Sequence, residues 1–310
     1  MDTGRYDLIV VGAGIAGLTL AVQARRAGLR VACFEQMMFG GLVVNVNHLD
    51  PGPGDYEGSG VDLASTLMDE AIDAGVDYVS GAVQAFCSQD DSIAFDCDDT
   101  RYVCAALALA TGARLRRLGV AGEAELEHRG VSSCADCDAP MFQGQDVAVV
   151  GAGDSALQEA RVLAAFCGTV HLIVRGDGFD GRADLAHAVR ALPNITVHTR
   201  TEVVRVLGTE GVEGVSLRDA GSGEVRTLAC SGFFAYVGLT PNADWLPDSI
   251  DRDAQGFVIT GEGLSTSMPG VFALGAARAG FGGLLEHCVQ DAHVVAGAVV
   301  RRLSGATARG

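Results

Sequence analysis

The sequence predicts an α/β protein built from two three-layer domains, and three observations carry the prediction. A glycine-rich loop, Gly12-Ala13-Gly14-Ile15-Ala16-Gly17, joins a short apolar run to a helical one. A second loop, Gly151-Ala152-Gly153-Asp154-Ser155-Ala156, lies about 140 residues further on in the same setting. Each is followed by another short apolar run, so each completes a β–α–β unit of the Rossmann-like kind, with helices laid on a parallel sheet.

Tyr6-Asp7-Leu8-Ile9-Val10-Val11 reads as a buried parallel strand, a β-branched apolar run bounded by glycine. Over residues 15–26 the apolar Ala16, Leu20 and Ala24 recur at helical spacing, and Gly28 ends the helix. Arg30-Val31-Ala32-Cys33-Phe34 is the next strand and closes on Glu35, 23 positions after Gly12. That spacing is close to the roughly 20 residues of a dinucleotide fingerprint. Residues 108–113 read as a strand ending in a crossover. The second unit has a strand over 146–150, a helix over 155–166 and a strand over 169–174. Residues 233–242 hold a further strand and its exit, 271–275 a late strand, and 284–303 the final helix.

The composition suits this architecture. The 310 residues are enough for two domains with proper cores, at about 100–200 residues per domain. A hydrophobic share of 48% and a charged share of 20% mark a globular chain, and 42 glycines fit backbone that approaches phosphates closely. The net charge of -17 argues against a nucleic-acid partner and against anionic membranes. The opening residues show no basic stretch followed by an apolar one, and apolar runs such as 103–110 fall well short of a membrane span. A soluble cytoplasmic protein is the expectation, with its nine cysteines kept reduced. Seven of them (Cys33, Cys87, Cys97, Cys104, Cys167, Cys230 and Cys288) are scattered, most in apolar surroundings that suit small buried hydrophobes.

The first loop with its strand, its helix and Glu35 favours a dinucleotide cradle over a merely tight turn. Backbone N–H groups and a helix N-terminus there face a pyrophosphate, and Glu35 accepts hydrogen bonds from ribose hydroxyls. Cys134 and Cys137, in Ser133-Cys134-Ala135-Asp136-Cys137-Asp138, admit four readings. A zinc site needs four ligands, and no second close pair accompanies this one, so no metal is expected. A structural disulfide sits badly with a reducing cytosol. Two unrelated thiols remain open, beside a redox-active pair. The redox reading is favoured because Ser132 and Ser133 precede the pair as caps and Pro140 ends the helix. Both thiols then lie near the N-terminus of a short turn, where a thiolate is stabilised. Asp136 between them works the other way.

In this order the motifs resemble the low-molecular-weight thioredoxin reductases, a branch of the pyridine-nucleotide–disulfide oxidoreductases. The resemblance covers nearly the whole chain: the first loop, Gly40-Gly41, Ala110-Thr111-Gly112, the segment 131–138, and Gly151 through Glu159. It implies an FAD domain formed by residues 1–118 and 241–310, with a nicotinamide domain, residues 119–240, inserted into it. Gly12, Gly14, Gly17, Glu35, Gly40, Gly41, Thr111, Gly112 and Gly275 then serve FAD. Gly151, Gly153, Asp154, Ser155 and Arg175 serve NADH or NADPH. Cys137 faces the flavin, Cys134 exchanges with the outside disulfide, and Asp138 is the acid/base. The implied partner is a thioredoxin-like protein or a small dithiol or disulfide, and the implied assembly a homodimer.

The chain departs from that family in two places. Where NADPH-preferring relatives carry a run of arginines, this one reads Val174-Arg175-Gly176-Asp177-Gly178-Phe179-Asp180, so Arg175 alone is left of the clamp beside two carboxylates. NADH, or no nicotinamide, gains ground. The family's Gly-Asp after the last strand is Gly275-Ala276, and its downstream Arg-Gln falls on Gly283-Leu284, followed by Glu286-His287-Cys288. His287 is either a packed surface residue or, with Cys288, a substrate-side base and thiol. The leading expectation is a FAD-dependent disulfide oxidoreductase. Beside it stand a dithiol oxidase using oxygen, a reductase fed by a non-nicotinamide donor such as ferredoxin, and a non-catalytic binding protein.

Overall fold

The computed structural model describes residues 4–50, 52–89, 92–98 and 100–307. Its helices are α1 (Ile15–Arg26), α2 (Gly60–Asp73), α3 (Ala135–Asp138), α4 (Asp154–Ala164), α5 (Ala183–Ala191) and α6 (Leu285–Thr307). The chain forms two compact units, Met1–Arg114 with Thr240–Gly310, and Leu115–Leu239. The α/β class expected from the sequence is the one observed.

In the first unit the parallel strands Asp77–Ser80, Val31–Glu35, Gly4–Val11 and Thr100–Leu109 lie side by side in that order, and Val271–Ala273 pairs with the far end of Thr100–Leu109. Successive side chains of a strand face opposite ways. Leu8 and Val10 therefore join α1, α2 and α6 in one apolar layer, while Ile9 and Val11 join Phe34, Phe95, Leu246 and Ile250 in the other. Covering both faces is what lets a strand be apolar throughout. The antiparallel hairpin Cys87–Gln89 and Ser92–Cys97 extends the sheet along the first half of Thr100–Leu109. That pairing starts the strand eight residues before the expected position 108 and ends it at Leu109.

The second unit repeats the plan. Ile195–His198, Val170–Ile173, Val147–Val150, Gly232–Ala235 and Val131–Ser132 make a parallel sheet. Val147 and Val149 pack on α4 and α5, and Ala148 and Val150 on the antiparallel sheet Thr201–Leu207, Gly214–Asp219 and Val225–Ala229. Helix α4 starts at Asp154 rather than Ser155, and α6 runs four residues past the expected 303. Among the described residues no helix is long and apolar enough to cross a membrane.

Candidate active site

In the first unit the glycine loop is built by close backbone approach. Gly12 has φ +106, and a Cβ there would overlap the Ala110 carbonyl; one on Gly17 would overlap the Gly12 carbonyl oxygen. Both positions therefore require glycine. Gly14 is the N-cap of α1 with no side-chain cap, so the first amides of α1 stay available. Gly40 docks its N–H on the Ala13 carbonyl at 2.7 Å, and the Cα of Gly14 is the nearest atom, at 3.8 Å, to a Cβ built on Gly41. Glu35 sits at the end of its strand. Its Oε2 accepts from the Ala13 amide at 3.0 Å and its Oε1 from Met37 at 3.0 Å. A carboxylate offers about four lone-pair sites, which leaves room for ribose hydroxyls. Thr111 has a buried hydroxyl without a protein partner, beside Gly12, and Gly112 faces open space.

The loop after the last strand closes the same cradle, and here the sequence reading missed two residues. A Cβ on Gly275 would press on Ala16 at 2.9 Å, so this loop lies on the start of α1. A carboxylate from α6 reaches this loop. Asp291 accepts from the Gly275 amide at 2.9 Å and forms a two-pronged pair with Arg278, both contacts 2.7 Å. Asp291 is 5% exposed. His287 packs edge-on to Phe281 over Gly282, and its Nδ1 lies 3.4 Å from the Leu284 amide. Cys288 is buried, and desolvation pushes its thiol up to about 12. That corrects the reading of Cys288 as a reactive partner for His287, because a thiol so poised stays protonated.

In the second unit Gly151 has φ +149, a Cβ there would overlap the Tyr236 carbonyl, and Gly153 is the uncapped N-cap of α4. The segment after Arg175 folds back over this loop. Asp180 and Gly181 donate to the Ala152 carbonyl at 2.9 and 3.1 Å, and Asp154 accepts from the Arg182 amide at 2.6 Å. Ser155 and Arg175 are exposed. A second cation lies beside the segment after Arg175. Arg200 donates its amide to Gly176 at 2.8 Å and sets its guanidinium 3.8 Å from Asp177. Arg200, 25 positions on in sequence, is brought beside Arg175's segment by the fold alone.

Cys134 and Cys137 are joined in a disulfide. The caps differ from expectation: Cys134 itself is the N-cap of α3, its sulfur accepting from the Cys137 amide at 3.1 Å, while the Ser132 hydroxyl accepts from the Cys134 amide at 3.1 Å. Helix α3 stops at Asp138, two residues before Pro140. The proline falls in the first turn of a 3₁₀ segment, Ala139–Phe142, where a missing N–H costs nothing. Cys137 is exposed, and Cys134 and Asp138 are half-buried. Beneath α3 lies a group that sequence reading passed over. Glu159 of α4 accepts from Tyr236 Oη at 3.5 Å, and the Ala135 amide acts on it too. Burial, then the charge of Asp136, pushes its carboxyl up to about 7. Burial, then Glu159, also raises the Tyr236 phenol.

The first cradle fits FAD: an uncapped helix start, backbone where side chains are excluded, and an orphaned buried hydroxyl at Thr111. The second loop fits a dinucleotide pyrophosphate less openly, since Asp154 lies in the first turn of its helix. Comparison with known proteins gives the family. The family model for pyridine nucleotide-disulphide oxidoreductases matches residues 6–295. A thioredoxin reductase of Treponema pallidum (strain Nichols) is 35% identical over 275 residues, 88% of this chain and 89% of that one. One from Mycolicibacterium smegmatis is 35% identical over 294 residues, covering 94% and 92%. The crystal structure of Lactococcus lactis thioredoxin reductase superposes with a TM-score of 0.93 at 28% identity, over 97% of this chain and 99% of that one. The chain belongs to the pyridine nucleotide-disulphide oxidoreductase family, as a thioredoxin reductase-like flavoprotein oxidoreductase.

Proposed function

We propose that the protein is an FAD-dependent disulfide reductase that passes two electrons from a reduced nicotinamide to Cys134–Cys137 and on to a thioredoxin-like protein. The observation that carries this reading is the disulfide itself. Of nine cysteines only Cys134 and Cys137 are bonded, and they sit on a turn with one sulfur-bearing residue exposed, whereas all the free cysteines except Cys87 are buried.

In this reading the amides at the start of α1 hold the FAD pyrophosphate, Glu35 a ribose, and Thr111, Gly112, Gly40, Gly41 and Gly275 line the remaining wall. Bound FAD supplies reversible transfer of an electron pair. The chain's own residues do the rest. Reduction breaks the Cys134–Cys137 bond, taking up two electrons and two protons, with Asp138 moving a proton to and from sulfur. Cys134 then attacks the partner's disulfide and one partner thiol leaves. Cys137 attacks Cys134, the second partner thiol leaves, and the Cys134–Cys137 bond re-forms. The loop 151–155 with Arg175 holds the nicotinamide dinucleotide, and NADH is preferred, because Asp177 already draws on Arg200 and Asp180 stands nearby.

Anaerobic mixing of the flavin-loaded protein with NADH, NADPH and dithiothreitol tests this. Rapid bleaching by NADH, with oxidised thioredoxin then reduced in turn, is expected. Bleaching by the dithiol alone, with turnover in oxygen, would replace this reading with that of a dithiol oxidase.

A further inference from the structure

We propose that Glu159 is a positioning residue for the Cys134–Cys137 couple: it holds the first amide of the redox turn and binds one proton when the disulfide is reduced. The inference rests on the disulfide-reductase reading above, in which that bond opens and closes in every cycle.

The placement is specific. Helix α4 packs against α3, and Glu159 meets α3 at the amide of Ala135, the peptide unit that Cys134 begins. Ala135 is fully buried and Tyr236 is 7% exposed, so the carboxyl, the phenol and the amide meet under the turn rather than on the surface. Two titratable groups act on the carboxyl: Asp136 on α3, repelling its charge, and Tyr236, which follows the strand Gly232–Ala235 and donates to it. Among the described residues no arginine or histidine forms an ion pair with it, and the chain contains no lysine. A carboxyl poised near neutrality (about 7) responds strongly to any new charge placed beside it.

Reduction places such a charge there. The disulfide is neutral. When its bond breaks, two electrons enter, one sulfur takes a proton and the other is left as a thiolate. The thiolate forms on α3, the turn that packs against α4 beside Glu159, so the ionised carboxylate is disfavoured and takes a second proton from solvent. Two electrons and two protons are then gained, and the net charge of the site is unchanged. The two groups titrate as a coupled pair. Glu159 thus links the reduction of the couple to proton uptake just above neutral pH, without touching either sulfur.

The test is an equilibrium titration of the intact protein in dithiothreitol buffers of varied oxidation state, at about pH 5–9, with alkylation to trap free thiols and mass to count them. In the wild type, the dithiothreitol ratio at half-reduction should depend on pH roughly tenfold per pH unit more steeply just above pH 7 than below it. Glu159→Gln keeps the hydrogen-bond acceptor and abolishes the extra steepness. Asp136→Asn moves its onset to lower pH and Tyr236→Phe to higher pH, so the test survives if Glu159→Gln does not fold. A reducible Glu159→Gln protein with the wild-type profile overturns the proposal, as does an onset that neither other variant moves. A Cys134–Cys137 bond that never equilibrates with the dithiol is a different failure, that of the reductase reading.

Discussion

Cys134 caps its own helix, so its sulfur is fixed by the Cys137 amide before any chemistry begins. Cys137→Ser should abolish disulfide turnover while leaving bound flavin reducible by its donor, since the first electron transfer does not require the thiols. Cys134→Ser should do the same, and steady-state assays with thioredoxin alongside single-turnover flavin bleaching check both. Asp138 is half-buried beside the pair. Asp138→Asn should slow disulfide exchange by roughly 10²–10⁴-fold, the range for a positioned proton donor, with flavin reduction nearly unchanged. Equal slowing of both half-reactions would point to a folding defect instead. Five of the other thiols are inert for a definite reason. Burial pushes Cys33, Cys104, Cys230 and Cys288 up to about 12 and Cys167 to about 11. Brief labelling of the reduced native protein with an alkylating agent near pH 8 should therefore mark Cys134, Cys137 and Cys87 and spare these five; mass spectrometry of the digest reads the result directly.

Among elements, α1 and the segment after Arg175 carry the sharpest consequences. The backbone of Gly17 rests against the Gly12 carbonyl, so Gly17→Ala must push α1 off its strand. A cost of roughly 1–3 kcal/mol is expected from such overpacking, together with loss of FAD on gel filtration while unit-two structure persists. At Gly176 a Cβ meets nothing within 4 Å, and Asp180 is exposed. Gly176→Arg with Asp180→Arg should therefore be accommodated and should raise NADPH affinity, each charge-assisted bond adding on the order of 1.5–3 kcal/mol, less at high salt. Isothermal titration of wild type and variant with NADPH checks this; no gain would mean that this strand end does not meet the 2′-phosphate. These elements were legible because their signal is local. The bounds of α1, both glycine loops and the Cys134/Cys137 spacing are written in consecutive residues. The hairpin 87–97 and the antiparallel sheet 201–229 were not read, because strands such as Val225–Ala229 are largely exposed and show no apolar run. The site's hidden members escaped for a related reason. Tyr236 reaches Glu159 across 77 positions and Asp291 reaches Gly275 across 16, and only packing makes those meetings.

For the molecule as a whole, stability against acid should reflect two opposed groups of the second unit. The raised carboxyl of Glu159 binds its proton more tightly folded than unfolded, so its contribution declines as pH rises from about 4.5 to about 7, by up to about 3 kcal/mol. His198 is held down to about 4 by burial, then by His171 and Arg226, and His171 is lowered as well, so their contribution declines as pH falls below about 6.5. The two trends offset between about pH 5 and 6.5. Urea midpoints for the wild type should be nearly flat there, whereas Glu159→Gln should gain stability steadily as pH rises; a parallel pair of curves would contradict the assignment. The order in which the chain is made has its own consequence. Unit two is one continuous stretch, 115–239, whereas the floor of the first cradle waits for Val271–Ala273, Gly275 and α6, which arrive last. On the ribosome, then, the inserted unit is free to fold first, and the first 114 residues wait half-built, with α1 still lacking α6 and Ile9, Val11 and Phe34 still lacking Leu246 and Ile250. That interval, rather than the finished enzyme, is where the chain most needs a chaperone, and a nascent chain halted after residue 260 should show a protease-resistant second unit joined to a first unit still open to cleavage.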